Sequence, residues 1–178
     1  MTNDHDNADA PPYRTSPPAG ATYFDADAFA AKLEPGARLI GIDAGTKTLG
    51  LALSDVTRTI ASALDTIRRT KFTADAEYLL DIADSHNCGG FVLGFPAHLD
   101  GSEGPRAQAT RAFARNVNKL SPLPILLWDE RLSTVAAERI LLEADTSRKR
   151  RAELIDKIAA TVILQGALDR MQRPGNAR

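Results

Sequence analysis

Short apolar runs separated by glycine and polar residues fill the middle of the chain, and their lengths set the expected architecture. Residues 39–42 and 49–53 are two such runs, and between them lies a turn of Ala44, Gly45, Thr46, Lys47 and Thr48. Runs this short, bounded by turn residues, predict two strands joined in a hairpin. Gly41 and Gly45 would let another chain or a ligand approach the hairpin backbone closely. Residues 57–67, with Ile60, Leu64 and Ile67 among Thr and Ser, predict a third strand.

The period then changes. Thr73 is a candidate N-cap for a helix running to Ser85, with Ala76, Leu79, Leu80 and Ala83 on one face. Cys88-Gly89-Gly90 should break it. Residues 91–94 form a short apolar strand closed by Phe95-Pro96, and the polar loop 97–104 follows. Pro105 is suited to the first position of a helix reaching Leu120. Residues 125–128 predict another strand, ending in Asp129-Glu130-Arg131. Ser133 could cap a helix to Ala144, Arg148–Arg151 reads as a basic loop, and Glu153 to Met171 as a long helix buried over much of its circumference.

At the N-terminus, residues 1–22 are rich in Asp, Asn, Pro and Ala and are expected to be a disordered acidic leader. Residues 23–36 predict a short helix or extension, stopped by Pro35-Gly36, that covers a sheet edge. Residues 37–172 should form one domain and 173–178 a tail. Three strands in a meander, then strands alternating with helices, predict an α/β fold: a mixed central sheet with an antiparallel opening and helices on its faces.

Composition adds little to this picture, but charge distribution and cysteine content narrow it. The chain has 178 residues, 43% apolar and 25% charged, with a formal net charge of -1. Residues 1–36 hold six acids and two bases; of the total of 23 acids and 22 bases, 17 and 20 remain beyond residue 36. The predicted domain is therefore mildly basic, which fits a nucleic-acid partner without demanding one. Cys88 is the single cysteine and cannot close an intrachain disulfide, which suits a reducing compartment. With His86 only two residues away it reads as a structural thiol rather than a nucleophile. No run approaches the roughly 18 apolar residues of a membrane span, and the acidic N-terminus has no secretory character. A cytoplasmic protein is expected, as monomer or homodimer.

Three acids stand where chemistry could use them. Asp43 ends the first strand, Glu130 ends the strand at 125–128 with Asp129 beside it, and Asp156 lies in the last helix between Ile155 and Ile158. Ligands gather at strand ends in open sheets, so Asp43 and Glu130 could share an edge that Asp156 reaches from the helix. Clustered carboxylates repel unless a cation neutralises them. Magnesium characteristically takes one or two carboxylates plus water and phosphate oxygens. Taken singly each acid has an ordinary role: a turn cap for Asp43, a helix-entry charge for Glu130, an exposed ion pair for Asp156.

The combination is specific. Gly-Ile-Asp-Ala-Gly-Thr-Lys-Thr-Leu-Gly-Leu-Ala-Leu-Ser-Asp at 41–55, Gly-Phe-Pro at 94–96 with Asp-Gly-Ser-Glu-Gly-Pro-Arg-Ala-Gln at 100–108, Asp-Glu-Arg-Leu-Ser-Thr at 129–134, and Ile-Asp-Lys-Ile-Ala-Ala-Thr-Val-Ile-Leu-Gln at 155–165 occur in order. Together they resemble the YqgF family over residues 38–172; its members are also named Holliday junction resolvases or pre-16S rRNA nucleases. The resemblance implies an RNase H-like fold and a Mg²⁺- or Mn²⁺-dependent nuclease. It implies that Asp43, Glu130 and Asp156 are the metal-binding catalytic set, and that the substrate is precursor ribosomal RNA whose 5′ end is matured. Two positions depart from the family pattern, Thr48 where Arg is usual and His98 where Asn is usual. A cation missing at 48 bears on phosphate grip rather than on metal binding.

Lys47, Arg131 and the run Arg148, Lys149, Arg150 and Arg151 are candidate phosphate contacts. Trp128, flanked by apolar residues, reads as core rather than a base-stacking platform. Branched DNA is the alternative substrate, and the ribosomal particle a candidate partner. A non-catalytic RNA-binding assembly factor is a second class. Asp-Ala-Gly-Thr at 43–46 also resembles the phosphate turn of actin-like ATPases and sugar kinases, but no second such turn follows.

Overall fold

The computed structural model describes residues 20–98, 100–132 and 148–173. The expected helix after Ser133 and all but the last residues of the acidic leader lie outside these. Six strands form one sheet: β1 (Thr22–Tyr23), β2 (Arg38–Ala44), β3 (Thr48–Ser54), β4 (Ala61–Arg68), β5 (Cys88–Phe95) and β6 (Ile125–Asp129), in the spatial order β1-β6-β5-β2-β3-β4. Strands β2, β3 and β4 form the antiparallel meander, while β5, β6 and β1 run parallel to β2. The predicted mixed α/β sheet is therefore present. Its geometry has one consequence for function: β2, β4, β5 and β6 all deliver their C-terminal ends to the same edge.

Alternation along the strands sorts the core into two layers. Ile40, Ile42, Leu49, Leu51, Phe91, Leu93, Ile125 and Leu127 face helices α2 (Phe72–Ser85) and α3 (Pro105–Asn118), meeting Leu79, Ala83, Phe113 and Val117. Leu39, Ala52, Val92, Leu126 and Trp128 face the other way, against α1 (Ala26–Ala30) and α4 (Arg148–Gln172). Burying these fully enclosed Leu, Ile and Phe side chains stabilises by about 1.5–3 kcal/mol each before chain entropy is set against it. Helix α4 buries Ala160, Ile163, Leu164, Ala167 and Leu168, an i, i+3, i+4, i+7, i+8 stripe, so one face rather than most of its circumference is enclosed. Trp128 is 7% exposed and belongs to the core.

Local chemistry differs from expectation at five places. Residues 20–23, expected at least in part to be disordered, are tied to the sheet: the Gly20 amide donates to Asn118 O at 2.9 Å, the Ile125 amide to Ala21 O at 2.9 Å, and Thr22–Tyr23 pair with β6. An open sheet edge supplied the partner that local composition did not reveal. Helix α1 is capped by Asp25, whose Oδ1 accepts from the Ala28 amide at 2.7 Å, and it ends at Ala30, before Pro35. Helix α2 begins at Phe72 with no side-chain cap, so Thr73 is not its N-cap. The turn into β5 is made by Asn87, with φ of +53°, and Cys88-Gly89-Gly90 are already strand. Arg148–Arg151, expected as a loop, are the first residues of α4. No helix among the described residues is long and apolar enough to cross a membrane.

Candidate active site

Asp43 occupies the last turn-facing position of β2, and its surroundings are built by glycines. On one side its cross-strand partner on β3 is Gly50. On the other side, one residue beyond the Ile42–Leu93 pairing, lies Gly94 of β5. Both clear room on the sheet face that α4 covers. A Cβ on Gly50 would overlap the Asp156 carbonyl oxygen and lie 2.5 Å from its carbonyl carbon. A Cβ on Gly94 would lie 2.5 Å from Ile163 Cδ1 and 2.8 Å from Glu130 Oε1. Gly41, two residues before Asp43, likewise admits Leu164 and the Ala160 carbonyl. At Gly41 the close approach is thus made by α4 of the same chain rather than by another chain or a ligand. Gly45 has the different task of closing the turn, its amide donating to Thr48 O at 2.9 Å.

Three elements carry the three predicted acids, Asp43 on β2, Glu130 in the short 3-10 turn Glu130–Leu132 that follows β6, and Asp156 on α4, and charge couples Asp43 to each of the other two. All three are partly buried. Their mutual influence is electrostatic. The Asp43 carboxyl is raised above its ordinary value, first by burial and then by the negative charge of Asp156. That of Glu130 is raised by burial, then by Asp43 and, less, by Asp129. Arg106, in the first turn of α3, opposes both shifts. Thr48 Oγ1 donates to Asp156 Oδ2 at 2.6 Å, which ties the carboxylate to the hairpin.

The donor set is all oxygen and short of positive charge, which suits a hard divalent cation. Among the described residues no group of three or more His, Cys, Asp or Glu side chains is placed to hold a metal ion.

The candidate phosphate contacts fare differently. Lys47 is exposed in the hairpin turn beside Asp43. Arg131 is engaged: its Nε donates to Asp129 Oδ1 and Oδ2 at 2.9 Å and its Nη1 to the His98 carbonyl at 2.8 Å. It ties the polar loop to the end of β6, and the guanidinium holds the Asp129 carboxyl below its usual range. Glu103 in the same loop pairs with Arg111 of α3, so the loop is anchored at both ends. Arg148–Arg151 enter with α4, and their side chains lie outside the described residues. Cys88 is half-buried, and burial pushes its thiol up to about 11, as a structural thiol requires. Sequence reasoning missed Arg106, Gly50, Gly94 and the partner of Thr48. Arg106 stands inside a motif block, but its relation to the acids depends on where α3 begins relative to the sheet edge.

A family model described as RuvX, Holliday junction resolvase, matches residues 37–170. A relative from Paracoccus denitrificans (strain Pd 1222), named pre-16S rRNA nuclease, is 63% identical over 146 residues, covering 82% of this chain and 92% of the relative. One of the same name from Rhodobacter capsulatus is 62% identical over 151 residues, covering 85% and 95%. Among solved structures, Thermus thermophilus RuvC in complex with a Holliday junction substrate superposes with a TM-score of 0.50 at 14% identity, covering 76% of this chain and 96% of that one. At that identity the likeness shows the fold, a RuvC-like, RNase H-type sheet.

Proposed function

The chain belongs to the RuvX family, and on that premise we propose that it matures the 5′ end of precursor 16S ribosomal RNA in the cytoplasm, with Asp43, Glu130 and Asp156 as its metal-binding catalytic acids. It is a nuclease, a hydrolase of phosphodiester bonds, and nucleic acid is its partner. The observation that carries the site assignment is the coupling of Asp43 to both other acids across Gly50 and Gly94. Burying and crowding carboxylates destabilises the empty protein, and a bound cation offsets that cost.

Mg²⁺ or Mn²⁺ held by Asp43 and Asp156 would polarise the scissile phosphate and neutralise charge developing on it. The remaining steps belong to the chain. Glu130, the acid whose carboxyl is raised by burial and by Asp43, orients the attacking water and accepts its proton. Thr48 holds Asp156 in one orientation. Arg106 supplies a fixed positive charge where the phosphate oxygens must pass.

Purified protein given a precursor 16S RNA with Mg²⁺ or Mn²⁺ should shorten its 5′ end, and Asp43→Asn should abolish this. A four-way DNA junction run in parallel tests the second reading, which the family description favours. Equal cleavage by wild type and Asp43→Asn would remove the acids from catalysis, and cutting of the junction alone would replace the RNA assignment.

A further inference from the structure

The sheet edge that carries the acids continues past them, on the β4 side, into Lys47, already a candidate phosphate contact, and into Arg68 and Lys71, which have no role so far. Strand β4 is the last strand of the sheet, and its C-terminal residue Arg68 is the cross-strand partner of Thr48. Cross-strand partners share a face. Because the Thr48 hydroxyl reaches Asp156, Arg68 emerges on that same face, two strands outward from Asp43. Its neighbour Arg69 locks the hairpin turn in place: the Arg69 amide donates to Lys47 O at 2.8 Å, Nη1 to Gly45 O at 2.6 Å, and the guanidinium lies 5.9 Å from the Phe113 ring centroid. Lys47 is thereby held beside the end of β4, and Lys71 follows two residues after Arg69 at the entrance to α2.

Lys47, Arg68 and Lys71 are exposed, and among the described residues none has an acidic partner. The nearby acids are committed elsewhere. Asp65 accepts from Tyr78 Oη at 3.0 Å and from the Thr66 amide at 2.8 Å, while buried Asp75 accepts from Thr70. By contrast Arg111, Arg131 and Arg170 are paired with Glu103, Asp129 and Asp27. Three unpaired cations beside a set of carboxylates give the edge a sign change along its length, negative at β2 and positive at β3–β4.

We propose that Lys47, Arg68 and Lys71 form a docking strip for the phosphate backbone of the nucleic-acid strand, laying it along the outer end of the sheet so that the scissile phosphate reaches the acids. This deepens the nuclease reading and rests on it. The strip grips phosphates without reading bases, and Arg69 positions it without touching substrate. Each cation that meets a phosphate releases condensed counterions, so its contribution appears in the salt dependence of binding.

The test is fluorescence anisotropy of a labelled precursor 16S RNA and a labelled four-way DNA junction, in Ca²⁺ to hold cleavage back, across a salt series. The variant is Lys47→Ala/Arg68→Ala/Lys71→Ala. A charge-matched control, Lys32→Ala/Arg115→Ala/Lys119→Ala, removes three exposed cations, one just after α1, one on α3 and one at its C-cap. The strip variant should bind at least about tenfold more weakly, with the slope of log affinity against log salt reduced by about 2–3. The control should stay within about twofold of wild type. Matching melting temperatures exclude unfolding. Loss on one probe only identifies the strand the strip holds. An unchanged slope in the strip variant, or equal losses in the control, overturns the strip while wild-type binding and cleavage keep the nuclease reading intact. Wild-type protein that binds neither probe overturns both.

Discussion

Thr48 Oγ1 donates to Asp156 Oδ2 at 2.6 Å across 108 residues of sequence, joining the opening hairpin to the last helix at the candidate active site. A hydroxyl thus stands where the family pattern carries Arg, and it acts on an acid rather than on substrate. Partners of this kind orient ligating carboxylates, and losing one typically costs 10–100-fold in metal affinity or activity. Thr48→Val keeps the shape and removes the donor; its cleavage rate at low Mg²⁺ should fall about 10–100-fold. Thr48→Ser should recover most of the loss. Titrating Mg²⁺ against initial rate checks this, and identical titrations for Val and wild type would show that the bond does not matter.

Gly50 makes that bond possible. Its missing Cβ is where the Asp156 backbone sits, so Gly50→Ala must push α4 away from β3. Overpacking commonly costs about 1–3 kcal/mol, and this clash, with helix backbone rather than a flexible side chain, belongs at or above the top of that range. The expected result is a lower melting temperature together with loss of cleavage. Gly36→Ala serves as comparison: its Cβ would meet nothing, but its φ of +75° should cost about 1 kcal/mol from backbone strain alone, with activity retained.

Much of this arrangement was legible in the sequence. Asp43, Glu130 and Asp156 could be named because each ends or interrupts an apolar run inside a recognisable block, and the order of β2 to β6 with α2, α3 and α4 followed from period alone. What stayed hidden depends on contacts between distant segments. Nothing local in Leu49-Gly50-Leu51 says that a helix 106 residues later will press on Gly50. Residues 20–23 look like leader until the free edge of β6 is known. Thr48 looked like a lost cation because its partner is set by tertiary packing.

The raised carboxyl of Asp43 predicts a stability cost with a definite pH dependence. A carboxyl whose folded value lies above its ordinary 3.8 holds its proton more tightly when folded. It therefore contributes stability below the ordinary value and withdraws it as pH rises through the raised one. Asp43→Asn removes this liability. Metal-free, it should melt several degrees above wild type at pH 7, and the gap should close near pH 4. Saturating Mg²⁺ should stabilise wild type more than the variant. Equal melting temperatures at pH 7 without metal would contradict the repulsion between Asp43 and Asp156.

Cys88 offers a simpler check on burial. A thiol pushed up to about 11 holds very little thiolate at pH 7.5, and the thiolate is the reactive form. Maleimide or iodoacetamide should modify the native protein far more slowly than free cysteine. Modification should accelerate in urea. Cys88→Ala should cleave at the wild-type rate, since the thiol sits at the start of β5, at the sheet end opposite the acids.

Arg106 should show effects of opposite sign on metal and substrate. Its charge favours the ionised forms of Asp43 and Glu130, which helps an ion bind where protons compete, yet it also repels that ion. At pH 8, where protons compete little, repulsion is what remains, so Arg106→Gln should lower the Mg²⁺ concentration needed for half-maximal rate severalfold. The same change deletes a cation from the path of the phosphate. At saturating Mg²⁺ the variant should therefore need more RNA to reach half its maximal rate, and binding of RNA in Ca²⁺ should weaken with a salt slope smaller by about 1. A residue that merely packed α3 against the sheet would move both quantities the same way, by loosening the site. Two titrations on one variant, Mg²⁺ at fixed RNA and RNA at fixed Mg²⁺, separate the two roles.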